Sequence, residues 1–317
     1  MSAPALPQKP KGKRPIGWIV AAAVVVVAIV VAVIVGAVRA GGDGGAGATA
    51  DGGAAKTVKI GVADKALPYW KTYTKLAKEK LNVTVQLVNF SDYSLPNPAL
   101  KDEQIDINQF QHIQYLADYN VTSDDDLQPI GSTAVYPLPL YATKYDSASA
   151  LPADAKVAIP NDAINQARAL LVLQDAKLLT LKDGGTAFST TGDIETHKVD
   201  VQTLDASQTA NALQQGSVAA AVVNNNFATS AGLPVKDVIS KDDPSSASAA
   251  PYVNVFAVRN ADKDDATYLA LAKLFQDSAV QKAFTKDYPQ AVARNVSASK
   301  LQSELASVEQ DAKAAKQ

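Results

Sequence analysis

The sequence predicts an α/β domain held behind a membrane-spanning helix and a flexible tether. Three observations predict it: an uncharged apolar run from Ile16 to Val38, a glycine-rich stretch after it, and, from Thr57 onward, short β-rich runs alternating with helical patterns. Such alternation is how helix and sheet layers are written into one chain.

Residues 1–15 form a basic tail carrying Lys9, Lys11, Lys13 and Arg14. The run 16–38 is 23 residues long, and roughly 20 apolar residues at about 1.5 Å rise cross a bilayer core of about 30 Å. A single-pass anchor in the cell membrane is expected, with the basic tail cytoplasmic by the positive-inside rule, Trp18 at the interface, and the rest extracytoplasmic. A cleaved secretory signal is the alternative, since Val38-Arg39-Ala40 loosely resembles a cleavage site; the apolar core of such signals is usually only about 7 to 15 residues. Residues 39–56 read as a linker: Ala40 to Ala55 holds seven glycines and no large apolar side chain, too little to bury for a fold. As a 16-residue coil it would span about 20 to 24 Å.

The remaining 260 or so residues suffice for a real core. The whole chain has a net charge of −2 with its cationic tail included, so the exported part is mildly acidic and a poor match for nucleic acid. There is no cysteine in the 317 residues, which removes disulfides, thiol nucleophiles and zinc–thiolate sites. No Gly-x-Ser-x-Gly or His-Glu-x-x-His occurs, and the two histidines stand apart from clustered carboxylates. An enzyme, a metal and a cofactor are therefore not expected. Asp124-Asp125-Asp126 and Lys241-Asp242-Asp243 read as solvated loops, and His197 as surface.

Strands are expected at Thr57 to Ala63, Val83 to Phe90, Lys156 to Pro160 and Val218 to Val223. Pro68 suits a first helical turn, and Trp70, Tyr73, Ala77 and Leu81 follow at spacings of three and four, one face to bury on a sheet. Further helices are expected from Asn161 to Gln174, as one run from Asp265 to Val280, and near the end, where Leu301, Leu305, Val308 and Ala312 share a face. The extended segments Val135 to Tyr141 and Pro251 to Phe256 bracket a middle block and read as two crossings of a hinge. One lobe is then residues 57–140 with 252–317, and the other is 141–251.

Most chemistry gathers after the strand at 156–160. Asn161 is placed to cap a helix, and positions 161, 165 and 168 lie on one helical face, with two amides and a guanidinium. With the free N–H groups and dipole of a helix start, this makes a candidate carboxylate site. An ordinary capped helix whose arginine meets a surface acid is the plainer alternative.

That segment, Pro160-Asn161-Asp162 with Asn165 and Arg168, resembles a motif of the NlpA/MetQ family of methionine-binding lipoproteins of ABC importers. Four more stretches resemble it in the same order: Asn89 to Asn97, Asp106 to His112, Val135-Tyr136-Pro137, and Pro251 to Asn254. The resemblance covers about Val58 to Arg259. It implies a two-lobed periplasmic-binding-protein fold, type II-like, that closes on an amino acid and delivers it to an ABC permease and its ATPase. By resemblance, Arg168 would hold the ligand carboxylate, assisted by Asn165 and the helix terminus, and Asn224 would accept from the ammonium. Tyr93, Phe110, His112 and Tyr136 or Tyr141 would enclose the side chain. L- or D-methionine is the implied ligand; another apolar amino acid, a dipeptide, or a tethered sensor role are the alternatives. The family's acylated cysteine is absent here, so the helix 16–38 would serve as anchor.

Overall fold

The computed structural model describes residues 55–316; the expected anchor at 16–38 and nearly all of the linker lie outside them. Among the described residues no helix is long and apolar enough to cross a membrane.

In chain order the elements begin with β1 (Lys56–Val62), α1 (Tyr69–Leu81), β2 (Val83–Asn89), α2 (Pro96–Lys101), β3 (Ile107–Gln109), α3 (Ile113–Ser123) and β4 (Gln128–Val135). Then come β5 (Pro139–Tyr141), β6 (Ala155–Pro160), α4 (Ala163–Asp175), β7 (Leu179–Leu181), β8 (Ile194–His197), β9 (Val199–Leu204), α5 (Ala206–Gln214), β10 (Ala220–Val222), α6 (Asn225–Ser230) and β11 (Val238–Lys241). The chain finishes with β12 (Val253–Val258), α7 (Ala266–Leu274), α8 (Ser278–Asp287), β13 (Val292–Ala293) and α9 (Ala298–Ala315). Six strands form one sheet in the order β13-β4-β12-β3-β1-β2, and five form another in the order β11-β5-β10-β6-β9; β7 and β8 pair separately. β1 runs parallel to β2 and β3, whereas β12 and β13 return antiparallel.

Both sheets are covered on both faces, which is why the inner strands β6, β10 and β12 are buried with little alternation. In β12, Phe256 and Val258 enter the core under α1, α7 and α8, while Val253, Val255 and Ala257 enter the core under α2, α3 and α9. In β6, Val157 and Ile159 face α4, and Ala158 faces α5. Trp70, Tyr73 and Ala77 are fully buried on the first sheet, as their spacing predicts, and Asn82 ends α1 in the left-handed region at φ 52°. The face of α9 formed by Leu301, Leu305, Val308 and Ala312 is buried against α3 and β4.

Two local expectations change. The helix expected from Asp265 to Val280 is two helices, α7 and α8, because Asp277 accepts the Ala279 N–H at 2.9 Å and caps a new start. Of the three acids at 124–126, Asp125 turns inward to accept from Tyr119 Oη at 3.1 Å and to pair with Lys101 at 3.3 Å.

The chain passes between the sheets twice, from β4 to β5 through Tyr136-Pro137-Leu138 and from β11 to β12 through residues 242–252. These connections border the cavity described next.

Candidate functional site

A cavity of about 650 Å³, counted out to its mouth, is lined by side chains from both sheets. Tyr93, Phe110, His112, Tyr136, Asn165, Arg168 and Asn224 all line it. Tyr141 does not: it is buried at the opposite face of β5, packed with Ala158, Leu213 and Val223. Strand pleating sends neighbours to opposite faces, and the register that places Leu140 over α4 turns Tyr141 toward α5.

The first wall is aromatic. Tyr93, in the loop after β2, lies 6.0 Å from the Phe110 ring and 5.1 Å from Phe227 at α6. Its hydroxyl donates to Asn226 Oδ1, joining a loop beside the six-stranded sheet to a helix beside the five-stranded one. Tyr136 meets Tyr288 edge-on at 4.9 Å. The turn carrying Phe110 and His112 rests on a buried amide cluster, in which Gln111 Nε2 donates to Asn97 and Asn108 and Asn108 Nδ2 donates to Asn97. The amides satisfy one another, Asn97 Nδ2 also donating to Gln111 Oε1 at 2.8 Å, which holds the turn.

His112 caps α3, its Nδ1 accepting the Tyr115 N–H at 3.2 Å. Burial, and next the positive charge of Arg168, hold its imidazole well below the ordinary histidine value. It is neutral at pH 7, with its proton on Nε2. Asp64, at the end of β1, is a carboxylate the sequence reading passed over. It accepts from Trp70 Nε1 at 2.7 Å, Tyr288 Oη at 2.8 Å and Tyr69 Oη at 3.0 Å. Burial pushes its pKa up against the pull of those bonds.

The polar wall is built from α4 and the start of α6. The cap of α4 is Asp162, not Asn161; its carboxylate accepts the Asn165 N–H at 2.9 Å, and Asn161 is exposed. A carboxylate seated on this helix start leaves the terminus unsuited to a second anion, which corrects the expectation that it would assist ligand binding. Asn165 is also committed to the protein: its Nδ2 donates to both Asp162 oxygens at 2.9 and 3.1 Å, and its Oδ1 accepts from Asn224 Nδ2 at 2.8 Å. This chain of bonds fixes which way Asn224 points. Its Oδ1 is left buried with no hydrogen-bond partner.

Arg168 is 5 % exposed. Nε donates to Asp242 Oδ2 at 2.7 Å, Nη2 donates to the Tyr136 carbonyl at 2.7 Å, and the guanidinium lies 4.2 Å over the Tyr252 ring. A guanidinium has five N–H donors; these two bonds leave the Nη1 edge for the cavity. Asp242 is therefore no solvated loop residue: its other oxygen accepts the Leu138 N–H at 2.7 Å. It was overlooked because its partner is 74 positions away, and an Asp-Asp pair in a polar stretch carries no local signal of that partner. Among the described residues, no group of three or more His, Cys, Asp or Glu is placed to hold a metal.

The cavity thus offers an aromatic wall, the Asp64 carboxylate, one orphaned acceptor and one spare guanidinium edge. The family model described as NlpA lipoprotein matches residues 58–296. The D-methionine-binding lipoprotein MetQ of Salmonella typhi is 38% identical over 215 residues, 67% of this chain and 78% of that relative. Among solved structures, a nutrient binding protein from Burkholderia cenocepacia bound to methionine superposes with a TM-score of 0.69 at 35% identity, covering 74% of this chain and 99% of that one. The substrate binding protein of a methionine transporter from Streptococcus pneumoniae does so with a TM-score of 0.69 at 31% identity, covering 76% and 95%. With the match spanning both sheets and the cavity between them, the chain belongs to the NlpA lipoprotein family.

Proposed function

We propose that this chain is the substrate-binding protein of an ABC importer and that it binds methionine in this cavity. The observation that carries the reading is the unpartnered Asn224 Oδ1 in the cavity that Arg168 also lines. A buried acceptor without a partner costs about 1–3 kcal/mol, and an ammonium would remove that cost. The ligand carboxylate would meet Arg168 through Nη1. The side chain would lie between Tyr93, Phe110, Tyr136 and His112, where a thioether gains about 0.3–1.5 kcal/mol per sulfur–aromatic contact. Neutral His112 suits an apolar side chain.

In this reading residues 57–140 with 252–317 are one lobe and 141–251 the other, and the two connections between the sheets are the hinge of a type II-like binding protein. Ligand bridging the lobes shifts the population toward the closed form. The Tyr93–Asn226 bond would add to closure. The closed form is what a permease with its ATPase would receive. The domain would work outside the cytoplasm, anchored through residues 16–38, since the chain has no cysteine to carry a thioether-linked lipid.

Isothermal titration of the full chain in detergent, stripped of carried-over ligand, tests the proposal. Methionine should bind saturably, and Arg168→Ala should lose about 2–5 kcal/mol, since it strands a buried carboxylate. Near-unchanged affinity in that variant would remove Arg168 from the site, and no binding of methionine by the unaltered chain would reject the ligand.

A further inference from the structure

The two connections between the sheets meet on one side chain. Arg168, from α4, donates to the Tyr136 carbonyl on the first connection and to Asp242 on the second. Its guanidinium rests on Tyr252, at the far end of the second. Asp242 closes the circuit, because its remaining oxygen takes the Leu138 N–H of the first connection at 2.7 Å. An ionised carboxylate accepts through both oxygens, so it serves both donors at once; an amide of the same shape has only one acceptor oxygen. Asn225 adds a further tie, from the start of α6 to the Pro137 carbonyl.

We infer that Asp242 is a positioning residue for ligand capture. It fixes the plane of the Arg168 guanidinium so that the Nη1 edge faces the cavity, and it ties the carboxylate grip to both connections, where the chain must bend if the sheets move. The inference rests on the reading that the ligand carboxylate meets Arg168. Asp242 has two effects of opposite sign on an anionic ligand. Its charge opposes a second anion near Arg168, and its geometry favours a planar one aligned with the fork. A comparison of two ligands with the same charge cancels the first effect and isolates the second.

The experiment titrates the full chain in detergent with methionine and with its H-phosphinate analogue, which carries one negative charge on a tetrahedral head. The unaltered chain should prefer the carboxylate by roughly 30-fold or more, about 2 kcal/mol at 1.36 kcal/mol per tenfold. Asp242→Asn should compress that preference below about threefold whatever it does to either affinity alone. A purely structural role would weaken both ligands equally; an unchanged ratio in a folded variant overturns the inference. An unaltered chain indifferent to the two heads would remove both the carboxylate reading and the inference, whereas a preference lost in Arg168→Lys but kept in Asp242→Asn would spare the reading and reject only the inference. A second measurement needs no Asp242 variant. The Arg168 Nε–H signal, assigned by its loss in Arg168→Lys, should be protected from solvent exchange with and without ligand. Rapid exchange in the free protein would overturn the inference as well.

Discussion

Asn224→Ala separates binding from stability more sharply than any other change at this site. In the unliganded protein Asn224 contributes one bond, Nδ2 to Asn165 Oδ1 at 2.8 Å, and carries one buried acceptor with no partner. Truncation removes a desolvation cost of about 1–3 kcal/mol at Asn224 Oδ1 and creates a similar one at Asn165 Oδ1. The lost bond is worth about 1 kcal/mol, and water admitted to the vacated space, next to polar groups, offsets part of it. Unliganded stability should therefore change by no more than about 1 kcal/mol. With ligand bound, the same truncation deletes a hydrogen bond to a charged ammonium, worth about 1.5–3 kcal/mol, which is about 10- to 150-fold in affinity. Titration calorimetry reads the affinity, and the denaturant midpoint of the ligand-free chain reads the stability. An affinity change under about threefold, or a ligand-free loss above about 2 kcal/mol, would refute the argument by showing Asn224 to be structural.

Three further outcomes are expected. His112 is held neutral in the folded protein, so below the unfolded value of 6.5 the unfolded chain binds the extra proton. Stability should then fall as pH drops through and below 6.5, at up to about 1.4 kcal/mol per pH unit. His112→Asn, which keeps a cap acceptor, should flatten that slope in melts between pH 7.5 and pH 5.5; an identical slope would place the titration elsewhere. Gly131→Ala would set a Cβ 2.8 Å from the Ala272 Cβ, prying β4 from α7 at about 1–3 kcal/mol, and a melting temperature equal to that of the unaltered chain would contradict this close approach. Tyr93→Phe removes the bond to Asn226 while keeping the ring, and should cost about 1 kcal/mol of affinity, read mainly as faster ligand release in stopped-flow; unchanged release would mean the bond is not part of closure.

The secondary structure was legible where local chemistry is strong. The β-branched runs became β1, β2 and β6, and the 3.6-residue apolar pattern became α1, α4 and α9. It was less legible where a cap interrupts a continuous apolar pattern, as at Asp277 between α7 and α8. At the site, the residue types followed from motifs, but their duties did not. Asn165 looked like a ligand group and is a link in the chain that orients Asn224. Tyr141 looked equivalent to Tyr136 and lies in a core, because the pleat of a three-residue strand reverses side-chain direction at every step.

By itself the sequence determined the alternation of strands and helices, the apolar faces, the absence of thiol chemistry, and an arginine and amides grouped near one helix start. Each of these is local, set by residue type and spacing within a few turns or strands. Only the tertiary structure decided that Asp242 pairs with Arg168 and that one acceptor of Asn224 is left without a partner. Those facts depend on which distant groups share a buried space, and buried polar groups take whichever partners the packing brings within hydrogen-bond reach.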